Sequence, residues 1–307
     1  MFLTGGTGAL GARLLPLLRA RGHTVTGLTR SAEGRAQLAR CGATPLTGDV
    51  FDRAALEEGC RSADAVVDCS TVEPRLPRPG GRDWSVNDRI RRHGTRNLVT
   101  AAAAAGMVRY VHCGLGLVYG DHGDAWVNEE TDLRTPLPLG PAREGEAAVL
   151  RARAETGLPA LVLRMGTLYG VGFSGTERLL WLVRRRLLPL SGNAGSYTSF
   201  LHLDDAAAAV AQALATDQAP PVLNVCDDAP APVGAWLPWL AQELGAGTPR
   251  HWPRWLASLF VDDRDAAVYL HTSLRMTNAL ARHTLGFRPR FPSYRDGFRA
   301  DVNSQPA

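Results

Sequence analysis

Glycines at positions 5, 8 and 11 follow an apolar start, Met1-Phe2-Leu3, and precede a segment of helical character from Ala9 to about Arg21. This order of strand, glycine loop and helix constrains the fold more than any other feature. Gly5 permits a tight turn, Gly8 lets a diphosphate approach the backbone, and Gly11 lets the helix pack closely on a sheet. The amides that open the helix point at such an anion with a dipole of the right sign. Gly5, Thr7, Gly8, Ala9, Leu10 and Gly11 are therefore the expected contacts of a dinucleotide diphosphate.

Strand and helix patterns then alternate. His23–Thr29 alternates in polarity and ends before Arg30; Ser31 and Asp52 are placed to cap the next two helices. Ala63–Cys69, Val108–Cys113 and Ala160–Arg164 read as buried strands, and helices are predicted from about Trp84 to Ala105 and near Arg143–Thr156. A Pro/Gly/Arg-rich loop separates Glu73 from Arg82. The repeated βα unit predicts an α/β fold with a doubly wound parallel sheet. The second half is more mixed, with helices over Gly175–Leu188 and after Asp204-Asp205 and a strand at Pro221–Val225. Trp236, Trp239, Trp252 and Trp255 suggest a small C-terminal lobe. The expected division is residues 1–165 with 200–226 for the dinucleotide and 166–199 with 227–307 for a substrate.

A net charge of +4 over 307 residues is mild, and no groove-entering motif accompanies it, so nucleic acid is not an expected partner. No apolar run is long enough for a membrane helix, and the glycine loop leaves no room for a leader, so a cytoplasmic protein is expected. Five cysteines, none in CxxC spacing, read as reduced thiols, with no metal expected. All 34 basic side chains are arginine; the chain has no lysine.

Further motifs extend the pattern along the chain: Gly48-Asp49-Val50, Gly94-Thr95-Arg96-Asn97-Leu98, Val118-Tyr119-Gly120, Leu163-Arg164 before Tyr169-Gly170, Phe200-Leu201-His202-Leu203-Asp204-Asp205, and Leu285-Gly286-Phe287. Together with the glycine loop they resemble the extended short-chain dehydrogenase/reductase family, also described as the NAD-dependent epimerase/dehydratase family. The resemblance implies a Rossmann fold with a smaller mixed C-terminal substrate lobe, a nicotinamide cofactor and a small-molecule substrate. It also implies a homodimer face on the helices at 84–106 and 143–156. By the same resemblance Asp49 and Val50 meet the adenine, Cys69 and Ser70 pass beneath the cofactor, and Tyr169 lies at its edge. The second strand ends at Thr29-Arg30 with no acidic residue before Glu33. Arginine suits a ribose 2′-phosphate where a carboxylate would suit the free hydroxyl, so NADP is the expected cofactor, read by Arg30 with Arg35 as a helper.

The family's usual proton machinery is a Ser/Thr, a Tyr and a Lys. Here the hydroxyl position, three residues before Val118, holds Leu115. Counting back from Glu146, the tyrosine position falls on Pro138 and the lysine position on Ala142; a two-residue slip puts Gly140 and Glu144 there. Neither register restores the set. Tyr119, Cys113 and Arg143 are the candidate substitutes, with Glu144, His112 and His202 behind them. Each has a plainer alternative: Tyr119 and Tyr169 as packing residues, Cys113 as a small buried hydrophobe, His202 as a structural histidine, Arg143 and Glu144 as a solvated helix turn. The expected activity is an NADP-dependent oxidoreductase on a small apolar or natural-product-type substrate. A non-redox cyclase, isomerase or dehydratase, or a redox-silent NADP sensor, are the alternatives.

Overall fold

The computed structural model describes residues 1–72, 84–191, 194–216, 218–252, 268 and 272–304. The loop read at Glu73–Arg82 and Trp255 lie outside them. The first half runs β1 (Phe2–Thr4), α1 (Ala9–Ala20), β2 (Thr26–Thr29), α2 (Ala32–Arg40), β3 (Thr44–Thr47), α3 (Arg53–Arg61) and β4 (Ala65–Asp68). It continues with α4 (Ser85–Arg89), a π turn at Ile90–Gly94, α5 (Thr95–Ala104), β5 (Arg109–Leu115), β6 (Trp126–Val127), α6 (Gly140–Thr156), β7 (Ala160–Met165) and β8 (Thr167–Tyr169). Then come α7 (Ser174–Arg184), β9 (Leu190–Ser191), β10 (Tyr197–Thr198), β11 (Phe200–His202), α8 (Leu203–Ala215), β12 (Val222–Val225), β13 (Ala231–Pro232), α9 (Val233–Glu243), β14 (His251–Trp252), β15 (Arg275–Met276), α10 (Ala279–Leu285) and α11 (Tyr294–Ser304).

A seven-stranded sheet in the order β12-β7-β5-β4-β1-β2-β3 forms the centre, and every adjacent pair in it is parallel. The fold is the doubly wound Rossmann arrangement. Strand order reverses between β1 and β4, the position where such sheets open a crevice for ligand. One sheet face packs Leu3, Val67, Val111 and Leu163 against α1 and α8. The other packs Phe2, Val66, Tyr110 and Val162 against α3, α5 and α6. A separate apolar cluster gathers Tyr169, Phe200, Trp236, Leu240 and Phe298.

The capping residues act as their chemistry requires: Ser31 Oγ accepts from the Gly34 amide at 3.0 Å and Asp52 Oδ1 from the Ala55 amide at 3.1 Å. Several boundaries differ from the sequence reading, among them the end of α7 at Arg184 instead of Leu188. β2 begins at Thr26 rather than His23. The long helix after Trp84 is broken into α4 and α5 by the π turn. α6 begins at Gly140, earlier than Arg143, because Pro141 suits the first helical turn. No helix among the described residues is long and apolar enough to cross a membrane.

Candidate active site

The loops that follow β1, β2, β3, β4 and β5 share the carboxyl-terminal edge of the sheet, and the motif residues lie on them. Gly5 has φ of +73°, and a Cβ there would stand 2.2 Å from the Cys69 carbonyl oxygen. A Cβ on Gly11 would stand 2.4 Å from the Gly5 carbonyl oxygen. Those two glycines are demanded by the turn and by packing. Gly8 is different. It has extended geometry, it is exposed, and an added Cβ would meet only the Gly5 carbonyl oxygen at 3.3 Å. No side chain caps α1 and no acidic residue stands in its first turn. The loop is a built anion cradle, so the residues present fit a dinucleotide diphosphate.

Arg30 is exposed at the end of β2, with Arg35 on α2 donating to Thr47 Oγ1 at 3.5 Å. Asp49 Oδ1 accepts from the Phe51 amide at 2.7 Å. Val50 is buried against Gly94, where a Cβ would sit 2.5 Å from Val50 Cγ2. Cys69 and Ser70 are half-buried at the end of β4. Tyr169 is a correction. It is buried, stacks on Phe298 at 4.4 Å and edge-on to Phe200 and His202, and packs its hydroxyl against Gly297. Its side chain belongs to the aromatic core.

Two buried polar networks, which motif reading did not anticipate, hold the edge in place. Asp68 accepts from Thr4 Oγ1 and Thr95 Oγ1 at 3.0 Å, the Ser70 amide at 3.1 Å and Tyr110 OH at 3.3 Å, and pairs with His112 Nδ1 at 3.1 Å. Burial alone would raise its pKa; the hydrogen bond and charge of His112, with Ser70, outweigh it and hold the carboxyl well below its usual range. The second network runs from α6 to β12. Glu146 and Arg164 form a buried ion pair, Arg164 lies 4.6 Å over the Tyr119 ring, and Tyr119 donates to Asn224 Oδ1 at 2.9 Å. Burial pushes the Tyr119 hydroxyl up despite Arg164. Tyr119 is 0% exposed and donates to Asn224, which places it in the buried scaffold behind the edge.

The Glu146–Arg164 pair points that face of α6 at the sheet. Ala142, one turn earlier on the same face, is buried there, in the lysine position of the first register. Pro138 lies in the short turn Leu137–Leu139 just before α6. Leu115 is half-buried at the end of β5, beside Met165 of β7. Arg143 and Glu144 project outward: Arg143 is exposed, and Glu144 makes a bidentate pair with Arg92 at 2.6 and 2.8 Å. Arg143 therefore faces solvent. His202 caps α8, accepting from the Asp204 amide at 3.1 Å, and pairs with Asp301 at 3.3 Å. Cys113 remains at the edge, its sulfur 3.1 Å from that of Cys69. Among the described residues no three His, Cys, Asp or Glu side chains gather as metal ligands would.

A cavity of about 600 Å³ opens at the opposite edge of the sheet, lined by Arg109, Arg153, Leu158 and Pro159. Arg153 there donates to the Ala160 and Ala219 carbonyls, and no motif residue reaches it.

The NAD dependent epimerase/dehydratase family model matches residues 1–226. A Streptomyces protein named 3-diazoavenalumate denitrifying reductase is 35% identical over 97% of this chain and 98% of its own length. A Stigmatella aurantiaca enzyme named 4-hydroxy-2-methyl-3-oxo-4-farnesyl-3,4-dihydroquinoline-1-oxide ketoreductase is 26% identical over 80% of this chain and 73% of its own. Among solved structures, a dTDP-glucose 4,6-dehydratase from Streptomyces venezuelae with NAD bound superposes with a TM-score of 0.79 at 23% identity, covering 98% of this chain and 95% of that one. The relatives' names include reductases and dehydrogenases. The chain belongs to the NAD-dependent epimerase/dehydratase family, the extended branch of the short-chain dehydrogenases/reductases.

Proposed function

We propose that this protein is an NADP(H)-dependent reductase that acts on a carbon bearing a diazo (diazonium) group in a small, largely apolar carboxylic acid. The observation that carries this reading is the apolar trio Leu115, Pro138 and Ala142, which fills the positions of the family's proton machinery in the first register, the one that puts the α6 residue, the buried Ala142, on the sheet-facing side. Reduction of a carbonyl needs a proton as well as a hydride, and these three side chains can donate none. When bound, the nicotinamide supplies a hydride, and a diazonium carbon takes it with loss of dinitrogen: R–N₂⁺ + H⁻ → R–H + N₂. That balance calls on no acid. The Streptomyces relative's name, a denitrifying reductase of a diazo acid, supports the same substrate class.

The chain's own residues bind, orient and shield. The amides of Gly8 to Gly11 hold the diphosphate. Arg30, exposed where a carboxylate would favour NAD, meets the 2′-phosphate. The Asp49 oxygen not used in its own turn would accept from the adenine amino group. Leu115 and Met165 keep water from the reacting carbon. The trio also removes a hazard, because diazonium groups couple to tyrosine phenolates and lysine amines. Residues 166–199 and 227–307 shape the substrate end, and the packed pair α5 and α6 offers a face for a homodimer.

The test is a single-turnover assay with NADPH and 3-diazonio-4-hydroxybenzoate. Expected are equal amounts of NADPH consumed and dinitrogen released, and transfer of deuterium from C4-deuterated NADPH to the vacated carbon. Product without NADPH loss would instead mark the non-redox alternative, and tight NADPH binding with no product the redox-silent one.

A further inference from the structure

β4 and β5 run parallel in register, with Asp68 opposite His112. The next residues along are Cys69 and Cys113. Their side chains leave the sheet on the face opposite to Asp68 and His112, and their sulfurs lie 3.1 Å apart. Only about 1 Å of movement separates them from a covalent bond. Both residues are half-buried. Cys60 and Cys226, in contrast, are buried, and Cys41 lies beyond α2.

The pair is also mechanically joined to the phosphate loop. The Cys69 amide donates to the Thr4 carbonyl at 3.2 Å, and the Cys69 carbonyl oxygen fills the space where Gly5 would carry a Cβ, at 2.2 Å. A shift of the Cys69 main chain therefore presses on the turn that positions the loop amides.

We propose that Cys69 and Cys113 are a dithiol that a hydroperoxide oxidises to a disulfide, and that closing it distorts the phosphate loop and weakens dinucleotide binding. In the first step the Cys69 sulfur attacks the outer peroxide oxygen. The O–O bond breaks, Cys69 becomes a sulfenic acid, and the leaving alkoxide takes the thiol proton. In the second step the Cys113 sulfur attacks the Cys69 sulfur, the S–O bond breaks, and the departing hydroxide leaves as water with the Cys113 proton. Two thiols and one hydroperoxide give one disulfide, one alcohol and one water. The order follows from the hydrogen bond to Cys69 which, with burial, holds the Cys113 thiol well above the ordinary range and makes it the poorer first nucleophile.

Loosening of the loop is read without cofactor, by hydrogen exchange at residues 4–11; the loss of affinity rests on the cofactor reading above and is read separately. The full-length protein is treated with tert-butyl hydroperoxide, alkylated and digested, and NADPH affinity is measured before and after. Expected are a cross-linked peptide pair carrying residues 69 and 113, faster exchange in the loop, and an NADPH Kd raised by about fivefold or more, all reversed by dithiothreitol. C113S should form no cross-link and keep its loop exchange and affinity under the same peroxide; C113A provides a second form without the hydroxyl. The proposal is overturned if both thiols remain alkylatable while Cys41 oxidises. It is equally overturned if the cross-linked protein keeps the loop exchange of the reduced form.

Discussion

The turn from β1 into α1 and the pair β5–α6 occupy the same edge of one sheet, yet the sequence treats them in opposite ways. The first carries all three glycines of the phosphate-loop motif, including Gly8, where an added Cβ would meet one close atom, the Gly5 carbonyl oxygen at 3.3 Å. The second holds a buried scaffold, the Glu146–Arg164 pair and the Tyr119–Asn224 bond, and on the reading proposed above leucine, proline and alanine stand where the family's proton machinery would be. On that reading positioning and chemistry are separable in this fold: the contacts that hold a helix in place are distinct from those it presents to a substrate.

The sharpest way to break that comparison is to attack the scaffold itself. E146A leaves the Arg164 guanidinium buried without its counter-charge, so the loss should be about 3–5 kcal/mol of unfolding free energy. Urea denaturation reads it. A loss below about 1 kcal/mol would mean that α6 is held by apolar packing alone.

The complementary attack is on the phosphate turn. G8V adds a side chain that the fold meets with one tight contact, the Gly5 carbonyl oxygen at 3.3 Å, and that a diphosphate would meet head-on. NADPH affinity by calorimetry should fall by about 100-fold, roughly 2.7 kcal/mol. The melting temperature without cofactor should move little. If G8V unfolds the protein, Gly8 serves packing and the contrast with Gly5 and Gly11 is lost.

What could be read from the sequence follows the same division. The glycine loop, the caps at Ser31 and Asp52 and the alternation of elements were legible because each depends on neighbours in the chain. The networks around Asp68 and Glu146 were not. Thr4 and Asp68 are 64 residues apart, and Tyr119 and Asn224 are 105 apart. No local spacing announces such partners. Glu146 was usable as a counting mark, but its ion pair became visible only when β7 lay beside α6. Tyr169 misled for a related reason: its position in a motif said nothing of Phe298 and Gly297, which arrive from the far end of the chain.

A smaller effect sharpens the cofactor half of the comparison. R30A should weaken NADPH binding by about tenfold, roughly 1.4 kcal/mol, because one exposed charge-assisted contact is removed in solvent. NADH binding should be unchanged, and fluorescence titration of the two cofactors reads the difference. Equal loss for both would make Arg30 a general anion contact and remove the preference for the 2′-phosphate.

The smallest expected effect is the most discriminating. L115S restores a hydroxyl at the end of β5, where the half-buried leucine now stands beside Met165. If hydride delivery with loss of dinitrogen needs no acid, the new hydroxyl has nothing to donate to, and the single-turnover rate should stay within about twofold, under 0.5 kcal/mol of barrier. The same logic makes the rate flat over roughly pH 6 to 8, since no side chain has to change its proton during the step. A rise of about tenfold in L115S, or a titration in the wild-type rate that L115S moves, would show that a proton is transferred in the step that limits turnover. The apolar trio would then be a handicap for which some other group compensates, and β5–α6 would have relocated its acid and not discarded it.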